Sequence, residues 1–372
     1  SLINFFSQPE MISQNGYTAE IYKVTTRDGY ILQMHRISAS PLSPRANGKP
    51  VVFMMHGLLS SSADWIIMGP GKSLAYILAD AGYDVWMGNA RGNTYSRKHR
   101  TITDLRSNAF WNFSWHEIGV YDLPAMIDLV LRTTGHRQVT YIGYSQGTTS
   151  FYVMASLRPE YNDKIKVMFS LAPVAYMGNA RSPLLRMFSI GLFAELLGLN
   201  EFLPTNKLFS KLGSTFCRDN QLTLKPCTNA LFTLFGFNAA QLNTTALPAI
   251  FGHAPAGAST RQFLHYIQGA RSHRFEWYDY TYFGNLEKYG SFYPPKYDLR
   301  KITAPVHLMY GDNDWLAAVK DVTQLYTELG NPIEMVRVQD SRWNHLDFIW
   351  GIDAKRLVYD HITTTLRRYY NY

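Results

Sequence analysis

Hydrophobic and polar residues alternate in the first part of the chain, which is the pattern of half-buried β-strands. Residues 18–24 and Tyr30–Ile37 alternate in polarity on either side of Arg27-Asp28-Gly29, and this arrangement predicts a β-hairpin. Val51–Met55 is apolar throughout. Strands that are buried on both faces of a parallel sheet have this composition, so we expect this segment in the centre of a sheet.

Helix and strand patterns then alternate as far as residue 171. The first two helical patterns stop at Gly82 and Gly135, and Pro124 inside the second predicts a first turn near Asp122 or a kink. Such alternation predicts a parallel sheet covered by helices. The predicted helices are residues 72–81, 118–134 and 146–157, and the predicted strands are residues 84–87, 139–142 and 165–171.

The alternation of helix and strand patterns ends at about residue 176. From there to Pro294-Pro295, apolar and amphipathic pieces show no strand alternation, and Gly, Pro and Asn separate them. Strands at 306–310 and 334–338 and helices at 315–329 and 353–368 follow. We therefore predict that a mainly helical insertion interrupts the sheet. The sheet domain then comprises residues 1–177 and 298–372, and the insertion comprises residues 178–297.

Ser145 stands in Gly143-Tyr-Ser-Gln-Gly147, between a predicted strand and a predicted helix. Strand, G-x-S-x-G and helix in this order are typical of the nucleophile elbow of an α/β-hydrolase. The two glycines are needed because so sharp a turn brings backbone and helix together. The sequence thus predicts an α/β-hydrolase fold, with a mostly parallel sheet and Ser145 as nucleophile.

A serine hydroxyl needs an imidazole to take its proton, and the imidazole needs a carboxylate to hold its tautomer. In α/β-hydrolases the acid and then the histidine follow the serine. We predict His345 as the base, because it lies in a loop after the last predicted strand. The other histidines after Ser145 lie in the insertion, inside a strand or on the last helix; they are His253, His265, His273, His307 and His361.

Two aspartates follow the strand at 306–310 and compete for the role of the acid. Asp314 lies further past Gly311 and has the reach to turn inward, so we predict Asp314 as the acid and Asp312 as a turn or cap residue. Asp347 is only two residues from His345, and at this spacing its side chain should point away from the imidazole. We expect a surface or capping role for it.

Attack by a serine on a carbonyl carbon also needs two amide N–H groups that converge on the developing oxyanion. Gln146 follows the nucleophile and begins a helix, so its amide is one predicted donor. The second is expected in the loop after the first core strand, His56-Gly57-Leu58, and we predict the amide of Leu58. His56 is a second candidate base, but it precedes the serine in a glycine turn, and we expect it to be structural.

The composition indicates a large hydrophobic core and argues against a nucleic-acid partner. Hydrophobic residues make up 46% and charged residues 17% of the 372 positions, and the 15% of aromatic residues suits a wide apolar cavity. The net charge is +8, but the positive residues are scattered, and the dense run Arg97-Lys-His-Arg100 is expected to be a solvated turn. We therefore expect no nucleic-acid partner.

Several features favour a secreted route. Cys217 and Cys227 are the only cysteines and could close a small loop in an oxidising compartment, whereas no cluster suits a structural metal. Asn112 and Asn243 begin glycosylation sequons. The chain begins at Ser1 without an apolar leader, as expected of a processed form. No 18-residue apolar run is present, so we expect no transmembrane segment.

Beyond the elbow, eight motifs in order along nearly the whole chain resemble those of the acid lipase family, which comprises gastric and lysosomal lipases and their insect relatives. They are His56-Gly-Leu-Leu59, Leu78-Ala-Asp-Ala-Gly-Tyr-Asp-Val-Trp-Met-Gly-Asn89, Arg91-Gly-Asn-Thr94, Tyr121-Asp-Leu-Pro124, Gly143-Tyr-Ser-Gln-Gly-Thr-Thr149, Ala254-Pro-Ala-Gly257, Asp312-Asn-Asp-Trp315 and Asn344-His-Leu-Asp-Phe-Ile-Trp350.

The resemblance implies the same catalytic set: a triad of Ser145, Asp314 and His345, with oxyanion amides from Leu58 and Gln146. It also implies that the insertion is a cap with a movable lid at about residues 205–235, and that Cys217 pairs with Cys227.

The chain departs from the family pattern at two places. Family members usually have histidine where this chain has Tyr144, and they tend to have a third cysteine where it has Leu234-Phe235. The first change bears on pocket shape or pH response, and neither removes a catalytic group.

The leading hypothesis is a secreted or lysosomal serine lipase that needs no cofactor. Its expected substrates are acyl lipids such as triacylglycerols and cholesteryl esters. We expect the protein to be a monomer that meets these lipids at an oil–water or membrane interface. The apolar pieces at residues 184–199 and 208–212 would cover the pocket or simply pack inside the cap. Two alternatives are an esterase for small soluble esters and a non-catalytic lipid carrier, the latter disfavoured because all triad positions are filled.

Overall fold

A mixed β-sheet forms the centre of the molecule. The computed structural model describes residues 6–186, 199–202, 228–229 and 231–371. Its strands are β1 (Ala19–Thr25), β2 (Tyr30–Ile37), β3 (Val51–Met55), β4 (Asp84–Met87), β5 (Lys98–His99), β6 (Val139–Tyr144), β7 (Ile165–Leu171), β8 (Glu201–Phe202), β9 (Ala258–Ser259), β10 (Val306–Tyr310) and β11 (Pro332–Arg337). In this part of the chain the main sheet has the order β1-β2-β4-β3-β6-β7-β10-β11, with β5 paired to β2.

The strand pairing confirms the predicted α/β-hydrolase fold. β1 and β2 form the predicted antiparallel hairpin, and β2 also runs antiparallel to β4. From β4 to β11 every neighbouring pair is parallel. β3 and β6 are buried at every position, as expected for central strands that are covered on both faces.

Helices connect the strands and cover both faces of the sheet. Within the described residues they are α1 (Gln8–Gln14), α2 (Leu74–Asp80), α3 (Asn108–Trp111), α4 (Trp115–Glu117), α5 (Leu123–Thr134), α6 (Gln146–Leu157), α7 (Leu247–His253), α8 (Thr260–Ser272), α9 (Thr281–Tyr289), α10 (Val319–Glu328), α11 (Asp347–Trp350) and α12 (Asp360–Tyr370). A π-helical turn over Ile118–Asp122 leads into α5, where Pro124 lies in the first turn. The backbone from Trp115 through Asp122 is already helical, so Pro124 lies inside a continuous helical segment. The π-helical turn before it is the local irregularity that accommodates a residue without an N–H donor.

Helix α10 begins later than the sequence pattern predicts. The pattern starts at Trp315, but the observed helix starts at Val319. The reason is Asp314, whose carboxylate accepts hydrogen bonds from the amides of Leu316 and Ala317, both at 2.8 Å. These bonds hold the chain in a turn, and the helix begins only after it.

The sheet resumes after the predicted insertion. β10 pairs in parallel with β7, so Val306 lies opposite Met168 although more than a hundred residues separate them in sequence. In the intervening stretch the structure describes α7, α8, α9 and the short antiparallel pair β8–β9. Most of residues 184–199 and of the expected lid, all of residues 208–212, and both Cys217 and Cys227 lie outside the described residues.

A buried ion cluster joins the loop after β4 to the π-helical turn before α5 and to the β1–β2 turn. Arg91 is 2% exposed, and its guanidinium lies 2.7 Å from Asp122 and 2.6 Å from Asp28. Its carbon Cζ also lies 4.0 Å from the centre of the Tyr30 ring. Because Asp122 is fully buried, its charge depends on this partner.

Replacement of Arg91 by alanine should destabilise the protein strongly. It would leave Asp122 buried without its cation, and the loss of one partner of a buried pair typically costs about 3–5 kcal/mol. Chemical denaturation of both proteins measures the free energy of unfolding. Arg300→Ala is the control, because Arg300 pairs with Asp298 at an exposed site, where an ion pair contributes little to stability. Equal effects of the two substitutions would contradict the structural role of Arg91.

Candidate active site

Ser145 occupies a strained turn between β6 and α6. Its backbone has φ 51° and ψ −116°, a conformation that costs a non-glycine residue on the order of 1–3 kcal/mol. The turn is held by the Ser145 amide, which donates to the Leu171 carbonyl at 3.0 Å. The Ser145 carbonyl in turn accepts a hydrogen bond from the Thr148 hydroxyl at 2.6 Å. This is the geometry of a nucleophile elbow.

The two glycines of the elbow are required by close backbone contacts. A β-carbon on Gly147 would lie 2.2 Å from the carbonyl oxygen of Met55 at the end of β3. A β-carbon on Gly143 would lie 2.9 Å from the Gly147 carbonyl group. Only glycine therefore lets α6 begin directly against the ends of β3 and β6.

The structure brings Ser145, His345 and Asp314 into one hydrogen-bonded chain. Ser145 Oγ lies 2.8 Å from His345 Nε2, and His345 Nδ1 lies 2.8 Å from Asp314 Oδ2. A carboxylate only accepts hydrogen bonds, so Nδ1 carries the proton and Nε2 turns its lone pair toward the serine hydroxyl. All three residues are at most 9% exposed.

The two aspartates of the β10 loop have different surroundings. Asp314 points inward, where it binds His345 and the two amides that begin the turn. Asp312 is partly exposed and forms an ion pair with Arg337, with Nε 2.8 Å from Oδ2. Of the two candidates, only Asp314 contacts the histidine.

The loop after β3 lies beside Ser145. A β-carbon on Gly57 would lie 3.3 Å from Ser145 Cβ, so the chain at Leu58 passes close to the serine. His56 holds this loop: Nδ1 donates to the Gly57 carbonyl at 2.7 Å, and Nε2 accepts from the Ala90 amide at 3.1 Å. Burial lowers the pKa of His56 to about 4, so its imidazole stays neutral in these contacts. It does not contact Ser145 Oγ.

An apolar cavity of about 230 Å³ opens at the serine. Ser145 and His345 form part of its wall, together with Leu58 and Leu346. The insertion contributes further aliphatic and aromatic side chains, including Phe202, Leu231, Leu234, Phe235, Ile250 and Phe251. Leu234-Phe235, the place at which the chain departs from the cysteine pattern described above, thus lines the cavity.

Two carboxyl groups near Ser145 and His345 are buried, and the sequence did not predict their burial. Asp64 lines the cavity and accepts a hydrogen bond from Ser60, and burial raises its pKa to about 7. Asp347 is 5% exposed, so a surface role is wrong. One of its oxygens accepts from the amide of Asn344 and the side chain of Asn238, both at 2.9 Å, and burial raises its pKa to about 7.

One cluster among the described residues has the composition of a metal site. The ligand atoms of His307, Glu334 and His361 lie within 4.8 Å of one another. Glu334 Oε1 already lies 2.7 Å from His307 Nδ1 and 2.6 Å from His361 Nε2, so hydrogen bonds account for the cluster. It shares no residue with the catalytic cavity.

Other predicted features lie at the surface. Asn112 is exposed and its side-chain oxygen binds Arg261, while Asn243 is half-buried and caps a 3₁₀ turn. In the run from Arg97, residues Lys98–His99 form strand β5 rather than a turn, and Arg97 pairs with Glu201 at 2.9 Å. None of the described helices is both long and apolar enough to cross a membrane.

Family comparisons agree with the fold. Residues 8–69 match a partial α/β-hydrolase lipase region, and residues 50–352 match the α/β-hydrolase fold. The second match covers most of the chain, including Ser145, Asp314 and His345.

Relatives with similar sequences are lipases by name. Lipase 3 of Drosophila melanogaster is 49% identical, over 97% of this chain and 92% of the relative. Human lysosomal acid lipase/cholesteryl ester hydrolase is 40% identical, over 97% of this chain and 90% of the relative. Mouse gastric triacylglycerol lipase is also 40% identical, over 96% and 90%.

More distant solved structures share the fold. A soluble variant of monoglyceride lipase from Saccharomyces cerevisiae has a TM-score of 0.54 at 13% identity, covering 93% of this chain and 94% of that chain. An epoxide hydrolase from Vigna radiata has a TM-score of 0.53 at 14% identity, covering 94% and 98%. At these identities the likeness concerns the fold alone.

The raised pKa of Asp347 predicts a pH-dependent effect of Asp347→Asn on stability. Below about pH 4 the carboxyl is protonated in both states. Between about pH 4 and about pH 7 the unfolded state releases the proton while the folded state retains it, so the wild-type protein loses stability as the pH rises. Asparagine does not titrate, and the variant should gain relative stability over this range, on the order of 4 kcal/mol at about 1.4 kcal/mol per pKa unit.

Denaturant unfolding of both proteins at acid and at slightly alkaline pH tests this expectation. Asp298→Asn is the control, since the Arg300 side chain lowers the pKa of exposed Asp298, so this variant should show no gain with rising pH. A constant difference between wild type and Asp347→Asn across the range would contradict the raised pKa.

Proposed function

The chain belongs to the α/β-hydrolase family of lipases and is a lipase-type ester hydrolase; we propose that Ser145, His345 and Asp314 carry out its reaction. The observation that supports these roles is the hydrogen-bonded chain from Ser145 Oγ through His345 to Asp314, with 2.8 Å at each step. It opens onto an apolar cavity, which suits an acyl chain.

The first half of the reaction acylates the enzyme. Ser145 Oγ attacks the ester carbonyl carbon while its proton passes to His345 Nε2. The carbonyl oxygen becomes an oxyanion, which the amides of Leu58 and Gln146 stabilise. The bond to the alcohol then breaks, and His345 gives its proton to the departing alcohol oxygen. Asp314 stabilises the transient imidazolium but remains ionised.

The second half releases the fatty acid. A water molecule gives a proton to His345 Nε2 and attacks the acyl carbon, which forms a second oxyanion in the same amide pair. The bond between the acyl carbon and Ser145 Oγ breaks, and the proton returns to the serine. Each step uses the same histidine, which requires its ring to keep one orientation throughout the cycle.

We propose long-chain acyl esters, namely triacylglycerols and cholesteryl esters, as substrates. The support comes from the cavity wall, where Phe202, Phe235, Ile250 and Phe251 are apolar and come from the insertion. Two of the relatives are named for such esters.

We also propose a division into a sheet domain (1–177 and 298–372) and a cap with a lid (178–297). A monomeric state and peripheral binding at a lipid interface belong to the same proposal.

A secreted or lysosomal location is also proposed, because the relatives include a lysosomal and a gastric enzyme. Such a route is compatible with a Cys217–Cys227 disulfide. It is also compatible with glycans at Asn112, which is exposed, and at Asn243, which is half-buried. Peptide mapping of the purified protein before and after reduction and deglycosylation tests these three modifications.

Ser145→Ala should reduce hydrolysis of emulsified triacylglycerol by at least about 10⁴-fold, because no other group replaces the nucleophile. Ser150→Ala is the matched control: Ser150 lies in α6, the helix that begins directly after Ser145, and its buried hydroxyl has no hydrogen-bond partner within the described part of the chain. This control should keep wild-type activity. Undiminished activity of Ser145→Ala would refute the assignment of the nucleophile.

The substrate class is tested by rates on triacylglycerol, cholesteryl ester and a short soluble ester. For the soluble ester, the rate is followed across its solubility limit. An enzyme adapted to lipid interfaces should gain activity sharply once an interface forms and should prefer the long-chain esters. Hyperbolic kinetics without such a gain, together with preference for the short ester, would indicate the alternative of a soluble esterase.

A further inference from the structure

Tyr144 bonds directly to the main chain of the proposed base. It is the last residue of β6, precedes Ser145 and is 5% exposed. Its hydroxyl donates a hydrogen bond to the backbone carbonyl of His345 at 3.0 Å. The centres of the Tyr144 and His345 rings are 5.3 Å apart, so the tyrosine contacts the histidine through both its hydroxyl and its ring.

The carbonyl of His345 receives no hydrogen bond from the helix that follows. The amides of Ile349 and Trp350 both donate to the Leu346 carbonyl, at 3.1 and 2.9 Å. The hydrogen bonding of α11 therefore begins one residue after His345. Among the described residues, Tyr144 supplies the donor to this carbonyl, which lies in a buried site where an unpaired polar group is unfavourable.

The Tyr144 ring also packs on the loop that carries the proposed oxyanion amide. A β-carbon on Gly57 would lie 3.0 Å from Cε1 and 3.1 Å from Cδ1 of this ring. Gly57 immediately precedes Leu58. One side chain thus contacts the loop of the oxyanion amide and the loop of the base, and the residue itself is bonded to the nucleophile Ser145.

We propose that Tyr144 is a positioning residue, which sets the His345 ring relative to Ser145 and Gly57-Leu58 through its hydrogen bond to the His345 carbonyl. This inference rests on the proposed roles of Ser145 and His345. The outer side of the same loop is fixed separately: the Asn344 side chain donates to the Gly236 carbonyl at 2.8 Å. With both contacts made, the loop is held from the core and from the insertion.

A phenol suits this role over a wide pH range. Burial, followed by the nearby carboxyl groups of Asp64 and Asp314, raises the pKa of Tyr144 well above its ordinary value. The hydroxyl therefore keeps its proton and remains a donor at acid and neutral pH. An imidazole, the usual family side chain at this position, would titrate near ~6.5 if unperturbed.

Tyr144→Phe tests the proposal, because it removes only the hydroxyl. We expect kcat on a soluble p-nitrophenyl ester to fall about 10-fold with little change in KM, since the substrate does not bind this hydroxyl. The rate of inactivation by an alkyl p-nitrophenyl phosphonate should fall by a similar factor. In that reaction Ser145 Oγ bonds to phosphorus, p-nitrophenolate leaves, and the serine proton passes to His345.

Tyr359→Phe is the matched control. Tyr359 is also buried, and its hydroxyl donates to a backbone carbonyl, that of Phe348, at 2.7 Å. Urea unfolding of both variants measures their stability. The proposal is supported if both variants lose similar stability but only Tyr144→Phe loses kcat and phosphonate reactivity. Wild-type kcat in Tyr144→Phe, or equal losses in the two variants, would overturn it.

The Ser145→Ala experiment separates this proposal from the assignment of the triad. If Ser145→Ala is inactive and Tyr144→Phe is unaffected, the positioning role alone is wrong. If Ser145→Ala remains active and the phosphonate does not label Ser145, the proposed nucleophile is wrong as well.

Discussion

The contact between Ser145 Oγ and His345 Nε2 is the constraint on which the site depends. It is a 2.8 Å hydrogen bond between residues 200 positions apart. It therefore forms only if the strands before and after the predicted insertion pair correctly in one sheet. β10 must pair with β7 for Asp314 and His345 to arrive at the same edge as the elbow. The glycines of the elbow are needed to place Ser145 for this contact, because α6 begins in van der Waals contact with the end of β3.

The polar groups around this contact are held by backbone hydrogen bonds more than by opposite charges. Asp314 accepts from two amides in addition to His345, and His56 uses both ring nitrogens to fix the loop beside the serine. Such bonds are short-ranged and directional, so they fix ring orientation. Most of the described side chains that line the cavity are apolar, which suits the long-chain acyl ester proposed as substrate.

Much of the fold could be predicted from local pattern. The hairpin, the buried strand β3 and the elbow between β6 and α6 follow from polarity, glycine positions and a short motif. The start of α10 could not be predicted, since it depends on the carboxylate of Asp314 and its amide partners. The burial of Asp347 was missed for a similar reason: its partner Asn238 is 109 residues away, and no local signal marks the pair.

By itself the sequence determined the class of chemistry, because the nucleophile, the order of acid and base, and the glycines that permit the turn are all written in short motifs. Tertiary structure decided how these groups act together. It set the contact distances between His345 and both Asp314 and Ser145, and it gave Tyr144 a partner in the His345 carbonyl. The physical reason is that a side chain's hydrogen-bond partner is set by which strands and loops meet in space. Periodicity along the chain reports burial, but it does not report the neighbours.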